Sequence, residues 1–201
     1  MVDISRLPRI LTEKATGGKQ MKTNKLTTTD LAEIGMSAAV AAVLSQVSVP
    51  TPSGVPLTAQ TFAVALIGTV LGWKKGFMAM LVYTVLGLAG VPVFAGFQGG
   101  FHVIAGYAGG FIWGFLFLAA LCGKGSVMKG KIAGILTGMA GLVICHLLGM
   151  LQFAVLSGNS LSKAFLLVSA PYLIKDILSV VFAFYAGKLI RKQMRKTVHQ
   201  S

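Results

Sequence analysis

Between Glu33 and Asp176 the chain contains no acidic residue at all, and its basic residues there fall in small clusters. A body this long and this free of charge constrains the fold more than any motif does. Lipid offers no partner for backbone N–H and C=O groups, so a chain that lives in it folds as helices or as a closed barrel. The period-two alternation of a barrel strand is missing, which leaves helices. Composition agrees: 55% of residues are hydrophobic and 11% charged, with a mean hydropathy of +0.78, against roughly 25% charged in soluble domains. A soluble domain would expose too much apolar surface, and a disordered chain would be polar.

Polar and Gly/Pro clusters divide the apolar body into six segments: 31–47, 58–72, 76–91, 102–122, 131–153 and 165–187. Most approach the roughly 20 residues that a bilayer-crossing helix needs. The reading is therefore an all-α integral membrane protein of six transmembrane helices. Residues 1–30 form a basic arm, 31–190 the membrane domain and 191–201 a basic tail. The arm has no apolar core of the kind a signal peptide carries.

The charge distribution orients the helices. Six basic residues precede Leu31, and Lys74, Lys75, Lys124, Lys129 and Lys131 fall in alternate loops. Lys188, Arg191, Lys192, Arg195 and Lys196 close the chain. With six spans, sixteen of the eighteen basic residues lie on one side and only Lys163 lies on the other, with Lys175 inside the last span. Cytoplasmic loops are the basic ones, so both termini are expected in the cytoplasm of a cell-membrane protein. The formal charge of +13 thus reads as a topology determinant, and a nucleic-acid partner is not expected. The external connections 48–57, 92–101 and 154–164 are rich in Pro, Gly, Ser and Asn and suggest a binding mouth.

No ATP-binding P-loop, HExxH or GxSxG is present. The run Gly106-Tyr107-Ala108-Gly109-Gly110 lacks the strand–turn–helix setting of a dinucleotide site. Cys122 and Cys145 read as free apolar cysteines. His146, without a visible carboxylate partner, reads as a packed or pore-lining residue, and His102 as a solvated helix-end residue. Neither catalysis nor a cofactor is expected; an intramembrane enzyme would need a catalytic pair or metal cluster.

Asp176 stands out, because an ionisable residue inside a span costs at least about 2.5–3.5 kcal/mol at mid-bilayer and marks function. Pro171 suits the first turn of the last helix, which places Asp176 about 7–8 Å below the external surface. Tyr172, four residues earlier, shares its face. Lys175 precedes it, and since neighbours on a helix point about 100° apart, a direct Lys175–Asp176 pair is expected to be poor. Gln60 adds a donor and an acceptor near the external start of the second span. Phe94 and Gln98, with Phe97, Phe101 and Tyr107 as aromatic walls, complete a candidate site for a small, partly polar ligand. In the first span Gly35, Ala38, Ala39 and Ala42 make a smooth face that a neighbouring helix can approach closely.

The strings VPLTAQTFAVALIGTVLGWKKG (55–76), LGLAGVPVFAGFQGG (86–100), AGYAGGFIWGF (105–115) and APYLIKDI (170–177) resemble BioY, the biotin-specific S component family of energy-coupling-factor vitamin transporters. The likeness covers roughly residues 30–190. It implies a six-helix bacterial membrane protein without its own ATPase. Such a protein captures biotin outside and passes it inward with a transmembrane coupling subunit and two cytoplasmic ATPases. The resemblance places the docking stripe at Gly35 and Ala39, with Ala38 and Ala42 beside them, a Pro–Thr–Gln element at Pro56, Thr58 and Gln60, and the site acid at Asp176. Two departures stand out: Tyr107-Ala108 replaces a Pro–Thr of the family's fourth-helix motif, and Ser179 occupies a position three after the acid that is often basic. Solitary biotin transport, or capture of another vitamin, are the neighbouring readings.

Overall fold

The structure, a computed structural model, describes residues 26–198. The arm up to residue 25 and residues 199–201 of the tail lie outside the described residues. The described residues are mostly helical, with one two-stranded ribbon among them. The elements in order are α1 (Thr28–Ser45), β1 (Ser48–Val49), β2 (Leu57–Thr58), α2 (Gln60–Leu71), α3 (Trp73–Leu88), α4 (Phe101–Ala105), α5 (Gly109–Ser126), α6 (Lys131–Ser157), α7 (Leu161–Val168) and α8 (Ala170–Val198).

Helix α1 starts three residues inside the expected arm, for a local reason. Thr27 caps the Asp30 N–H, and the Asp30 side chain accepts from the Thr27 N–H in return, which satisfies two donors the first turn would leave bare. Asp30 also pairs with Lys75, at the start of α3, and Lys75 reaches Glu33 at 2.6 Å. The Lys75 ammonium holds the Asp30 carboxyl down at about 2. Helices α2 and α3 are joined by Gly72 alone, at φ +84°, a conformation glycine adopts without strain.

Two expected spans are broken. Segment 102–122 is interrupted at Gly106–Ala108, so α4 has five residues and α5 begins at Gly109. Gln152 of α6 donates its amide to the Ile104 and Gly106 carbonyls at 2.7 and 2.8 Å, bracing the break alongside the Gly109 N–H, which also donates to the Gly106 carbonyl. Irregular backbone at membrane depth is tolerated where it lines a cavity, and this break does. The last segment is a bent pair, α7 and α8, meeting at 57°. By length and composition α5 and α6 each suffice to cross a membrane, as does the bent pair if counted as one span. Connection 154–164 shrinks to Gly158–Ser160, because α6 runs on to Ser157 and ends on a left-handed Gly158. Helix α8 runs through the expected basic tail to Val198.

Large apolar side chains cover the outside, among them Val43, Leu151, Ile174, Phe182 and Leu189, while alanines such as Ala41, Ala63, Ala65, Ala119 and Ala183 fill the inside. Small residues at helix contacts with bulky ones facing outward are how helices pack in lipid, where burial of apolar surface gives no drive. The α5–α6 contact shows how close the approach is. A Cβ on Gly110 would sit 2.2 Å from the Leu148 carbonyl oxygen, and one on Gly114 2.6 Å from Cys145 Cα. Asp30, Glu33, Lys75 and the Arg191–Ser126 contact (2.8 Å) gather at one end. The ribbon, the 89–100 loop and the Gly106–Ala108 break gather at the other, around one cavity.

Of the four residues expected on the α1 docking face, Gly35 and Ala39 are exposed, Ala42 is half-buried and Ala38 is buried. Ala38 therefore belongs to the interior. It lies with Ile34, Ala41 and Ser45 on the inner stripe of the helix, one turn-position away from the open face.

Candidate functional site

The cavity measures about 200 Å³, more than ten times what one water needs and suited to one small organic molecule. Its roof comes from two loops. Ser48 pairs with Thr58 and Val49 with Leu57, folding Gly54, Val55 and Pro56 over the opening. The second loop closes on the Phe94–Gln98 bridge and is tied to α1 by Gln46, which donates to the Phe94 carbonyl at 3.1 Å and accepts from the Phe97 N–H at 2.8 Å.

Six site residues expected from the sequence surround this cavity as side chains of defined environment. Asp176 is 4% exposed and holds two partners: the Lys175 ammonium on Oδ1, and His146 Nε2 at 3.3 Å from Oδ2. Lys175 also donates to the Thr58 carbonyl at 2.8 Å. The expected poor pairing of Lys175 with Asp176 is thus corrected. The 100° separation describes Cβ directions, and a four-carbon stem is long enough to curl back across it. Gln60 donates to the Tyr83 hydroxyl at 2.5 Å, and Tyr83 donates to the Val93 carbonyl at 3.1 Å. Because the Tyr83 oxygen must accept, the Gln60 amide nitrogen faces it and the amide carbonyl is left for the cavity. Phe94 is buried edge-on against Tyr83. Tyr172 donates to the Val55 carbonyl at 2.5 Å and so pins the ribbon to α8. Tyr107, in the break, leans on Phe153 at the mouth with ring centroids 5.2 Å apart.

The seventh, Gln98, lines the cavity from an exposed position on its loop. Phe97 and Phe101, expected as walls, are 73% and 72% exposed and do not line it. Phe97 takes φ +57° in the turn, which aims it outward. Phe111 and Phe115 of α5 form the aromatic wall instead, with Ile112, Leu142 and Cys145.

His146, expected as a packed or pore-lining residue, is buried and lines the cavity; what sequence reasoning missed is its carboxylate partner, Asp176. His146 Nδ1 lies 2.9 Å from Ser169 Oγ, and the ring meets Phe111 edge-on at 5.7 Å. The missing signal was mutual: two ionisable side chains inside one apolar body are both costly, and pairing them lowers the cost of each. Ser169, His146 and Asp176 make a serine–histidine–acid series, yet Ser169 is 1% exposed and does not line the cavity. Ser169 therefore does not present its hydroxyl to a molecule in the cavity. Among the described residues no group of three metal-ligating side chains forms. What remains is a binding site: apolar walls, two acceptors in Asp176 and the Gln60 carbonyl, and one ammonium.

The sequence model of the BioY family matches residues 19–196. A probable biotin transporter BioY of Pyrococcus horikoshii is 39% identical over 150 residues, covering 75% of this chain and 88% of that protein. The biotin transporter BioY of Thermotoga maritima is 35% identical over 165 residues, covering 81% and 95% respectively. Among solved structures, the S-component for biotin from an ECF-type ABC transporter superposes with a TM-score of 0.75 over 85% of this chain and 94% of that one, at 21% identity. That likeness gives the membrane fold, the relatives are named as transporters, and the family match spans nearly the whole chain: this protein belongs to the BioY family.

Proposed function

We propose that this chain is the substrate-capture subunit of a biotin uptake transporter, with six membrane crossings, both chain ends in the cytoplasm and the cavity facing outward across a bacterial cell membrane. The observation that carries the reading is the buried Asp176, paired with a half-buried Lys175, in the lining of an apolar cavity, in a chain whose relatives are named biotin transporters.

Biotin carries a ureido ring with one carbonyl between two N–H donors, an apolar thiophane and a carboxylate tail. A cation and an anion side by side complement that carbonyl and its flanking N–H. Of the roughly four acceptor positions on a carboxylate, Lys175 and His146 take two on Asp176, which leaves room for a ureido N–H. The Gln60 carbonyl is a second acceptor, and Phe111 and Phe115 suit the thiophane. The tail then points to the mouth, where Gln98, His102 and Tyr107 stand.

Sidedness rests on the basic residues Lys74, Lys75, Lys124 and Arg191, which sit at helix ends away from the cavity lining. Gly35 and Ala39, exposed on α1 with open space beside Gly35, suit close approach of a helix from a transmembrane coupling subunit, and through it two cytoplasmic ATPases. The test is uptake of radiolabelled biotin by transport-deficient biotin-auxotrophic cells carrying the chain with a coupling module. Accumulation that unlabelled biotin abolishes and other vitamins do not is expected. No accumulation, with the chain present in the membrane, overturns the reading.

A further inference from the structure

Both ring nitrogens of His146 are committed within the protein. Asp176 ionised is acceptor-only, so Nε2, 3.3 Å from Oδ2, carries the proton. Nδ1 shares a hydrogen bond with the Ser169 hydroxyl, 2.9 Å away. The ring lines the cavity but keeps no polar atom for a ligand.

Its anchor is rigid. Ser169 is the single residue between α7 and α8, at the 57° bend. The Ser169 N–H donates to the Phe165 carbonyl at 3.1 Å, and its carbonyl accepts from the Tyr172 and Leu173 N–H groups at 2.9 and 3.1 Å. Phe111 closes the remaining side of the ring edge-on. The series runs from a fixed bend, through a ring held on three sides, to one oxygen of the carboxylate. The other oxygen is held by Lys175.

We propose that His146 is a positioning residue for ligand capture. It holds the Asp176 carboxylate at the rotation that turns its free acceptor into the cavity, and it does so from the α7–α8 bend through Ser169. The inference rests on the biotin reading above. A carboxylate held by Lys175 alone would swing about its own bond, since the lysine stem is flexible, and a loosely held contact group loses much of its worth.

The test is biotin affinity of the purified full chain by calorimetry, in a double-mutant cycle. Gln at 146 keeps an N–H donor near the position of Nε2; Leu keeps bulk without it. His146→Leu is expected to weaken binding about tenfold and His146→Gln to stay within about threefold of the starting protein. In the Asp176→Asn background His146→Leu should change affinity by less than about twofold, because a residue that acts through the carboxylate has nothing left to position. Equal losses for Leu and Gln, or the same tenfold loss in the Asp176→Asn background, overturn the proposal. Ser169→Ala, which changes no cavity wall, gives a second arm should His146→Leu fail to fold. About a threefold loss is expected that vanishes in the Asp176→Asn background, and an unchanged affinity overturns the proposal. Failure of the unsubstituted chain to bind biotin overturns the ligand reading and this inference together; binding with an additive cycle overturns the positioning role alone.

Discussion

Replacing Asp176 with Asn separates the two things this carboxylate does. It keeps the shape, removes the charge and turns one acceptor into a pair of donors. Two protein groups contact the carboxylate: Lys175 and His146. The new amide oxygen can serve His146 or Lys175 but not both, and the new –NH₂ then faces a donor. Lys175 is 29% exposed at its side chain and keeps the Thr58 carbonyl, so it is not stranded. One unmet donor beside a buried group costs roughly 1–3 kcal/mol of stability. The ligand loses a hydrogen bond to a charged acceptor, worth about 1.5–3 kcal/mol, which is about tenfold to hundredfold in affinity. Calorimetry with biotin and ligand-free thermal melting, run on the same preparations, are expected to show both losses, with folded protein still recovered. A lowered melting point with unchanged biotin affinity would refute the reasoning, since Asp176 would then hold the helices together and touch no ligand.

Ala39→Trp should abolish co-purification with the coupling subunit and leave biotin affinity within about twofold, because Ala39 is exposed on α1 and distant from the cavity; an intact complex would place the docking face elsewhere. With an impermeant thiol reagent on intact cells, Ser160→Cys should label and Lys124→Cys should not, and the reverse pattern would invert the topology. Gly110→Val should destabilise the α5–α6 contact by several kcal/mol, since even its Cβ would lie 2.2 Å from a backbone oxygen; a melting point unchanged from the starting chain would contradict that packing.

How much of this was legible in the chain depends on the range of the interaction. The apolar body is a local property, and it marked out the helical regions. Asp176 announced itself by its cost in lipid. The interruption at Gly106–Ala108 did not, because hydropathy is the same on both sides of it. What allows it is an amide from Gln152, more than forty positions away. His146 looked solitary for the same reason: its carboxylate and its hydroxyl come from another helix and from a bend. Lys175 was misjudged where a rule about Cβ directions was applied to a side chain long enough to escape it. Ala38 was placed on the open face because small residues look alike in sequence, whichever side of α1 they occupy.

The central claim is that the cavity beneath the two loops is built for biotin. The most direct test identifies the small molecule that stays with the chain. The full chain would be purified in detergent from cells grown in rich medium, and the denatured extract analysed by mass spectrometry beside that of Asp176→Asn. The account predicts biotin as the retained compound, near one per chain, and strongly reduced in the Asp176→Asn extract. A different vitamin retained in its place, or biotin retained equally by both proteins, would contradict it.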